Sequence, residues 1–169
     1  MGVAEESKRT AAAERTDAMA ELRPTVERAV RLIVGAGSAF AEDAVQEALI
    51  AIDRDRTQVR GHERAWAHRV ATRVALRMAR RERRRALIGL SAQAPRALGE
   101  IDPMLGAIID AFALLPPRMR AVAVLRLYVG LSEQETADAI GCAPGTVKSQ
   151  LFEARRRLAA DLSEHEEPR

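Results

Sequence analysis

The segment from Leu131 to Leu158 constrains this chain most, because its punctuation allows little besides two helices joined by a tight turn. Ser132 and Glu135 have the spacing of a capping box, which fixes where a helix begins. Gly141 supplies the left-handed residue that ends it, and Pro144 suits the first turn of the next helix. The expectation is a helix-turn-helix. At about 100° per residue, Val147, Leu151, Ala154 and Leu158 share the inward face of its second helix. Opposite them stand Gly145, Lys148, Ser149, Phe152 and Arg156. A phenylalanine there cannot reach a core. Contact with thymine methyls or sugar explains it, beside a Lys and a Ser able to bond bases or phosphates. Gly145 leaves room for close backbone approach at a helix N-terminus that favours phosphate. A solvated basic helix with one stray aromatic is the competing reading, and the agreement of caps, turn and faces favours double-stranded DNA.

Composition widens this to the whole chain. Of 169 residues, 47% are hydrophobic but only 3% aromatic, so a core must be built mainly from Ala, Leu, Val and Ile. Helices are expected at Ala18–Val34, Ala41–Asp53, Glu63–Arg85, Met104–Leu114, Pro117–Tyr128, Glu133–Ile140 and Pro144–Leu162, from apolar spacing and Gly or Pro breaks. The fold class is all-α. Gly89, Ser91, Pro95, Gly99 and Pro103 punctuate residues 86–102, which read as a flexible linker between two small helical domains, 18–85 and 103–162. Residues 1–17 read as a polar N-terminal arm and 163–169 as a tail.

The net charge of +3 is too small to argue for nucleic acid, but its distribution says more. Arg80, Arg81, Arg83, Arg84 and Arg85 form one basic block and Arg155, Arg156 and Arg157 another. On the Glu63 helix, Ala67, Ala71, Val74, Ala75 and Met78 make a buried stripe. Arg69, Arg73, Arg77, Arg80 and Arg84 line the other side, with Trp66 at their edge. Such a row could merely solubilise the helix, or it could track phosphates while Trp66 stacks on an unpaired base. On the Ala41 helix, Val45, Ala48, Leu49 and Ile52 face inward, opposite Asp43, Gln46, Glu47 and Ile50. An acidic face with an exposed isoleucine suits either solvent or a protein interface.

The stretch LPPRMRAVAVLRLYVGLSEQETADAIGCAPGTVKSQLFEARRRL, Leu115 to Leu158, resembles region 4 of bacterial sigma factors of the extracytoplasmic-function group. Their typical form runs LPPRQREVLVLRY, GLS.EEIA, then GTVKSRL..ARRRL. AEDAVQEALIAIDR, Ala41 to Arg54, is similar to region 2.2, and AWAHRVATRVALRMARRERRR, Ala65 to Arg85, to regions 2.3 and 2.4. The resemblance implies a promoter-specificity subunit of RNA polymerase directing transcription initiation. Its partners would be the polymerase core, through the clamp helices and flap, and promoter DNA in double-stranded and melted form. It further implies that Gly145, Thr146, Lys148, Ser149, Phe152, Arg155 and Arg156 contact the −35 element. The −10 element would meet Trp66, Arg69, Arg73, Arg77, Arg80 and Arg84, and the polymerase core Asp43, Gln46, Glu47 and Ile50. An anti-sigma factor, often membrane-bound in this family, is implied as a further partner.

Two positions depart from the family. Residues Arg54 to Ala65 contain no aromatic, where many relatives carry base-stacking rings. Opening would then rest on Trp66 or on polar residues such as Asp55, Thr57 and Gln58. A regulator that binds DNA without opening it is the alternative, and an adaptor that holds polymerase with little use for DNA is another. Ala143 stands where relatives place a Ser or Thr cap, a loss of about 1 kcal/mol. His62, His68 and His165 are scattered, Cys142 is the only cysteine, and no metal, cofactor or catalytic constellation is expected. With one cysteine and no apolar run near the roughly 18 residues of a membrane span, a cytoplasmic protein without membrane insertion is expected; the resemblance allows that an anti-sigma factor could hold it at the membrane.

Overall fold

Alanine, leucine and arginine fill the periodic stretches, and those side chains lose little freedom in a helix. The computed structural model describes residues 20–35, 38–55, 62–88 and 103–165, with no strand among them. Helix α1 covers 20–34, α2 Ala41–Asp55 and α3 Glu63–Leu87. After the linker come α4 Pro103–Leu114, α5 Pro117–Ala123, α6 Glu133–Ile140 and α7 Pro144–His165. The linker residues 89–102, the arm 1–17 and the tail beyond His165 lie outside the described residues. Helix α2 runs two residues past the expected Asp53, and α7 runs three past the expected Leu162.

One element departs from expectation in kind. The helix expected over Pro117–Tyr128 is α-helical only to Ala123, and Val124–Val129 form a π-helical turn closed by Gly130. A π turn admits an extra residue into the ladder and so shifts the faces of the residues after it. Here Val124, Leu125 and Val129 are buried while Leu127 and Tyr128 remain partly in solvent.

The larger finding is that the two halves pack on each other. Helix α3 contacts α5 and α6 as well as α2, and buried residues of both halves form one continuous core. The reason lies in a second buried stripe on α3. Besides the expected Ala67, Ala71, Val74, Ala75 and Met78, the residues His68, Thr72, Leu76 and Ala79 are also buried. They recur at intervals of four, four and three, so they form their own ridge beside the first.

Reciprocal arginines tie the halves together. Arg64 of α3 donates to the carbonyl of Val129, at the C-terminal end of the π turn. From the other half, Arg120 donates to the Ile33 carbonyl at 3.4 Å, and to Ala113 and Leu115 at 3.0 Å each. Helix C-termini carry unpaired carbonyls and partial negative charge, so a guanidinium is a favourable partner. Burial pushes Arg120 below its usual range, while Glu82 acts in the opposite direction. Gly35 ends α1 at φ +114, and a Cβ there would meet Arg120 Nη1 at 3.2 Å. Glycine serves both the turn and the approach of the arginine.

His68 carries a testable consequence. It is fully buried, and neither ring nitrogen has a hydrogen-bond partner among the described residues. Burial pushes its pKa down from 6.5 to about 4, and the Arg64 charge acts in the same direction. The unfolded chain therefore takes up this proton first. Its contribution to stability is complete above about pH 6.5 and is lost as pH falls toward about 4. Urea unfolding at pH 7 and pH 4.5 should show this loss in the native chain, and His68→Leu should remove roughly 2 to 3 kcal/mol of it. An identical pH dependence in both proteins would contradict a neutral, buried imidazole.

Candidate nucleic-acid interface

The helix-turn-helix is built as its punctuation dictates. Ser132 Oγ accepts from the Glu135 amide at 3.2 Å, and the Glu135 carboxylate accepts from the Ser132 amide at 2.7 Å. These two bonds complete the capping box. They also hold the Glu135 carboxyl below its ordinary range, helped by the charges of His62 and Arg64. Helix α6 ends at Gly141 with φ 73. Arg118 then donates to the carbonyls of Ile140 and Gly141 at 3.3 Å each, which braces the turn. At the start of α7 the amides of Thr146 and Val147 bond the Ala143 carbonyl at 2.9 and 3.3 Å.

Helix α7 divides as expected. Val147, Leu151, Ala154 and Leu158 are buried against α4, α5 and α6. Gly145, Lys148, Ser149, Phe152, Arg155 and Arg156 are exposed, and Thr146 is half-buried. Phe152 is 73% exposed, an unusual position for a phenylalanine on a stable helix. Lys148 Nζ lies 3.5 Å from Glu133 of α6, and the Ser149 hydroxyl donates to the Thr146 carbonyl at 3.1 Å. Sequence reading passed over Glu153, whose carboxylate accepts from both Arg156 and Arg157. Its signal was legible as an acid three and four residues before two arginines.

The first half presents two further surfaces. Asp43, Gln46, Glu47 and Ile50 are all exposed on α2, with Ile50 at 67%. On α3, Arg73, Arg77, Arg80 and Arg84 are exposed and Arg69 is half-buried. Trp66 is less available than expected, being half-buried and packed against the core. Arg77 pairs with Glu47, so the arginine row and the acidic face adjoin along the α2–α3 seam. Asp55 ends α2 in an ion pair with Arg54 at 2.8 Å, while Thr57 and Gln58 lie outside the described residues. Among the described residues no group of His, Cys, Asp or Glu could hold a metal, and no helix is long and apolar enough to cross a membrane.

The arrangement thus offers an exposed face on α7 behind a capped α6, a basic row and an acidic face with one apolar centre. Comparison with known proteins gives it a context. Residues 18–85 match the family model for Sigma-70 region 2, and residues 105–158 that for Sigma-70, region 4. The chain is 33% identical over 135 residues to the ECF RNA polymerase sigma factor SigE of Mycolicibacterium smegmatis, covering 74% of this chain and 52% of that one. It is 34% identical over 137 residues to SigL, an ECF RNA polymerase sigma factor of Mycobacterium tuberculosis, covering 75% of this chain and 77% of that one. A match to the RNA polymerase sigma-E factor of Streptomyces antibioticus, 46% identical over 55 residues, covers 32% of this chain and 31% of that one. The chain therefore spans about half or less of the length of the first of these relatives and of the third. Among solved structures, the fold is similar to the sigma factor RpoE in complex with the anti-sigma factor NepR from Bartonella quintana. The TM-score is 0.70 at 24% identity, over 88% of this chain and 96% of that one. It is also similar to CnrH in complex with the cytosolic domain of CnrY, with a TM-score of 0.60 at 21% identity, over 90% of this chain and 89% of that one.

Proposed function

The chain belongs to the extracytoplasmic-function sigma factors of the sigma-70 family, and on that premise we propose that it is a promoter-specificity subunit of RNA polymerase. Phosphodiester chemistry is then the polymerase's work. The observation that carries the reading is Phe152, held in solvent beside Lys148, Ser149 and Arg156 on a helix whose start and inner face are fixed. In this reading residues 103–162 recognise the −35 element through Gly145, Thr146, Lys148, Ser149, Phe152, Arg155 and Arg156. Residues 18–85 bind the −10 element through Trp66, Arg69, Arg73, Arg77, Arg80 and Arg84. Two weak modules on one chain gain affinity from effective concentration, so neither alone binds well.

The polymerase core would dock on Asp43, Gln46, Glu47 and Ile50, where apolar contact and acidic complementarity combine. Ile50→Ala should weaken association with core polymerase by roughly tenfold, the loss typical of a central apolar anchor. Fluorescence titration with labelled chain measures this, and unchanged affinity would remove Ile50 from the interface. An anti-sigma factor is the proposed inhibitory partner, in keeping with the complex of RpoE with the anti-sigma factor NepR, and the cytoplasm is the proposed compartment.

The test is in vitro transcription by core polymerase on a randomised promoter library, with and without the chain. Enrichment of promoter-directed transcripts is expected, and none above core alone would contradict the proposal. A second reading, DNA binding without strand opening, is favoured by the half-buried Trp66 and the absence of aromatics from Arg54 to Ala65. Permanganate footprinting separates them, since only an opening factor makes promoter thymines reactive.

A further inference from the structure

Resting on the reading of α7 as the −35 reader, we infer that Glu153 is a positioning residue that orients Arg156 to select guanine. Arg156 lies on the exposed face of α7 with Gly145, Ser149 and Phe152, yet its side chain is not free to roam. Its Nε donates to Glu153 Oε2 at 2.9 Å and its Nη2 to Glu153 Oε1 at 2.8 Å. This side-on pairing occupies Nε–H and one N–H of Nη2. A pair of parallel donors, one each on Nη1 and Nη2, is left on the far edge of the guanidinium. That fork matches O6 and N7 of guanine in the major groove.

The carboxylate is itself held in place. Arg157 Nε donates to Glu153 Oε1 at 2.7 Å from the neighbouring position. Glu153 is only 29% exposed, against 66% for Arg156. The two arginines hold its carboxyl down at about 2, so it keeps its charge under any physiological condition. A fixed negative charge beside a DNA-facing surface repels phosphates of every sequence alike. Ordering one arginine, in contrast, favours the one base whose acceptors fit it. The expected balance is weaker general binding with sharper discrimination.

The test uses the full chain bound to core polymerase and duplexes randomised across the −35 element, comparing native chain with Glu153→Ala, Arg156→Ala and the double variant. The native chain should select guanine at one position. Glu153→Ala should reduce that preference by about tenfold, while affinity for unselected duplex rises about threefold or more. Arg156→Ala should lose the preference outright, and adding Glu153→Ala to it should change the preference no further. A helix-surface ion pair with a merely structural role would shift melting but not base preference. An unchanged guanine preference in Glu153→Ala, with or without altered affinity, overturns the inference while leaving α7 as the reader. Absence of any selection by the native chain overturns the reading of α7 and this inference with it.

Discussion

Replacing Lys148 and Phe152 together with alanine is expected to lower promoter-directed transcription about a hundredfold or more while leaving thermal unfolding unchanged. Both side chains project into solvent, Lys148 at 68% and Phe152 at 73% exposure, so removing them opens no cavity. The lysine pairs with Glu133 at 3.5 Å, an exposed pair of little worth to stability. Each good base or phosphate contact contributes about 1 to 3 kcal/mol to recognition, and 1.4 kcal/mol is a factor of ten in affinity. Single-round transcription from a selected promoter, beside a melting curve, measures both halves of the expectation. Native transcript levels from the double variant would mean that the chain holds polymerase without reading DNA through α7.

The second large effect concerns the core. Leu125→Ala is expected to cost about 2 to 5 kcal/mol, because Leu125 is fully buried and its truncation leaves a void that neighbours fill only in part. For a chain of this size that is on the order of 10 °C in melting temperature. The probe makes the result informative. Trp66 is the only tryptophan and lies in the first half, whereas Leu125 lies in the second. Because α3 packs against α5 and α6, loss at Leu125 should lower the transition seen by Trp66 fluorescence as much as that seen by circular dichroism. A Trp66 transition that stays put would show two halves that unfold independently.

That coupling marks the border of what the sequence could show. The inward face of α7 was legible because Val147, Leu151, Ala154 and Leu158 repeat at helical spacing after the turn marked by Gly141 and Pro144. The same held for the first stripe of α3 and for the outward Asp43, Gln46, Glu47 and Ile50 of α2. The second stripe of α3 was not legible. His68 and Thr72 are residue types that pattern alone does not place inside, and α3's contacts with α5 and α6 join elements far apart along the chain. Long-range pairings were hidden for the same reason. Nothing local to α2 or α3 links Glu47 to Arg77, and nothing in α1 foretells a carbonyl bound by Arg120. The π turn at Val124–Val129 escaped as well, since its residues continue the apolar pattern of an ordinary helix.

The packed halves also shape how the proposed function must work. The α3 ridge that meets the second half is distinct from the arginine row, and Arg73, Arg77, Arg80 and Arg84 remain exposed beside it. The surfaces proposed for DNA and for polymerase are therefore presented together on one body, with Arg64 and Arg120 holding it closed. Recognition by both halves at once is then the property that most needs measuring.

The most direct measurement is run-off transcription by core polymerase and the full chain from a selected promoter, with the −35 and −10 elements scrambled separately. A promoter read by both halves loses its transcript when either element is scrambled, and core polymerase alone makes none from the intact site. A transcript indifferent to both elements, or no transcript from any selected site, would contradict the assignment of this chain as a promoter-specificity subunit.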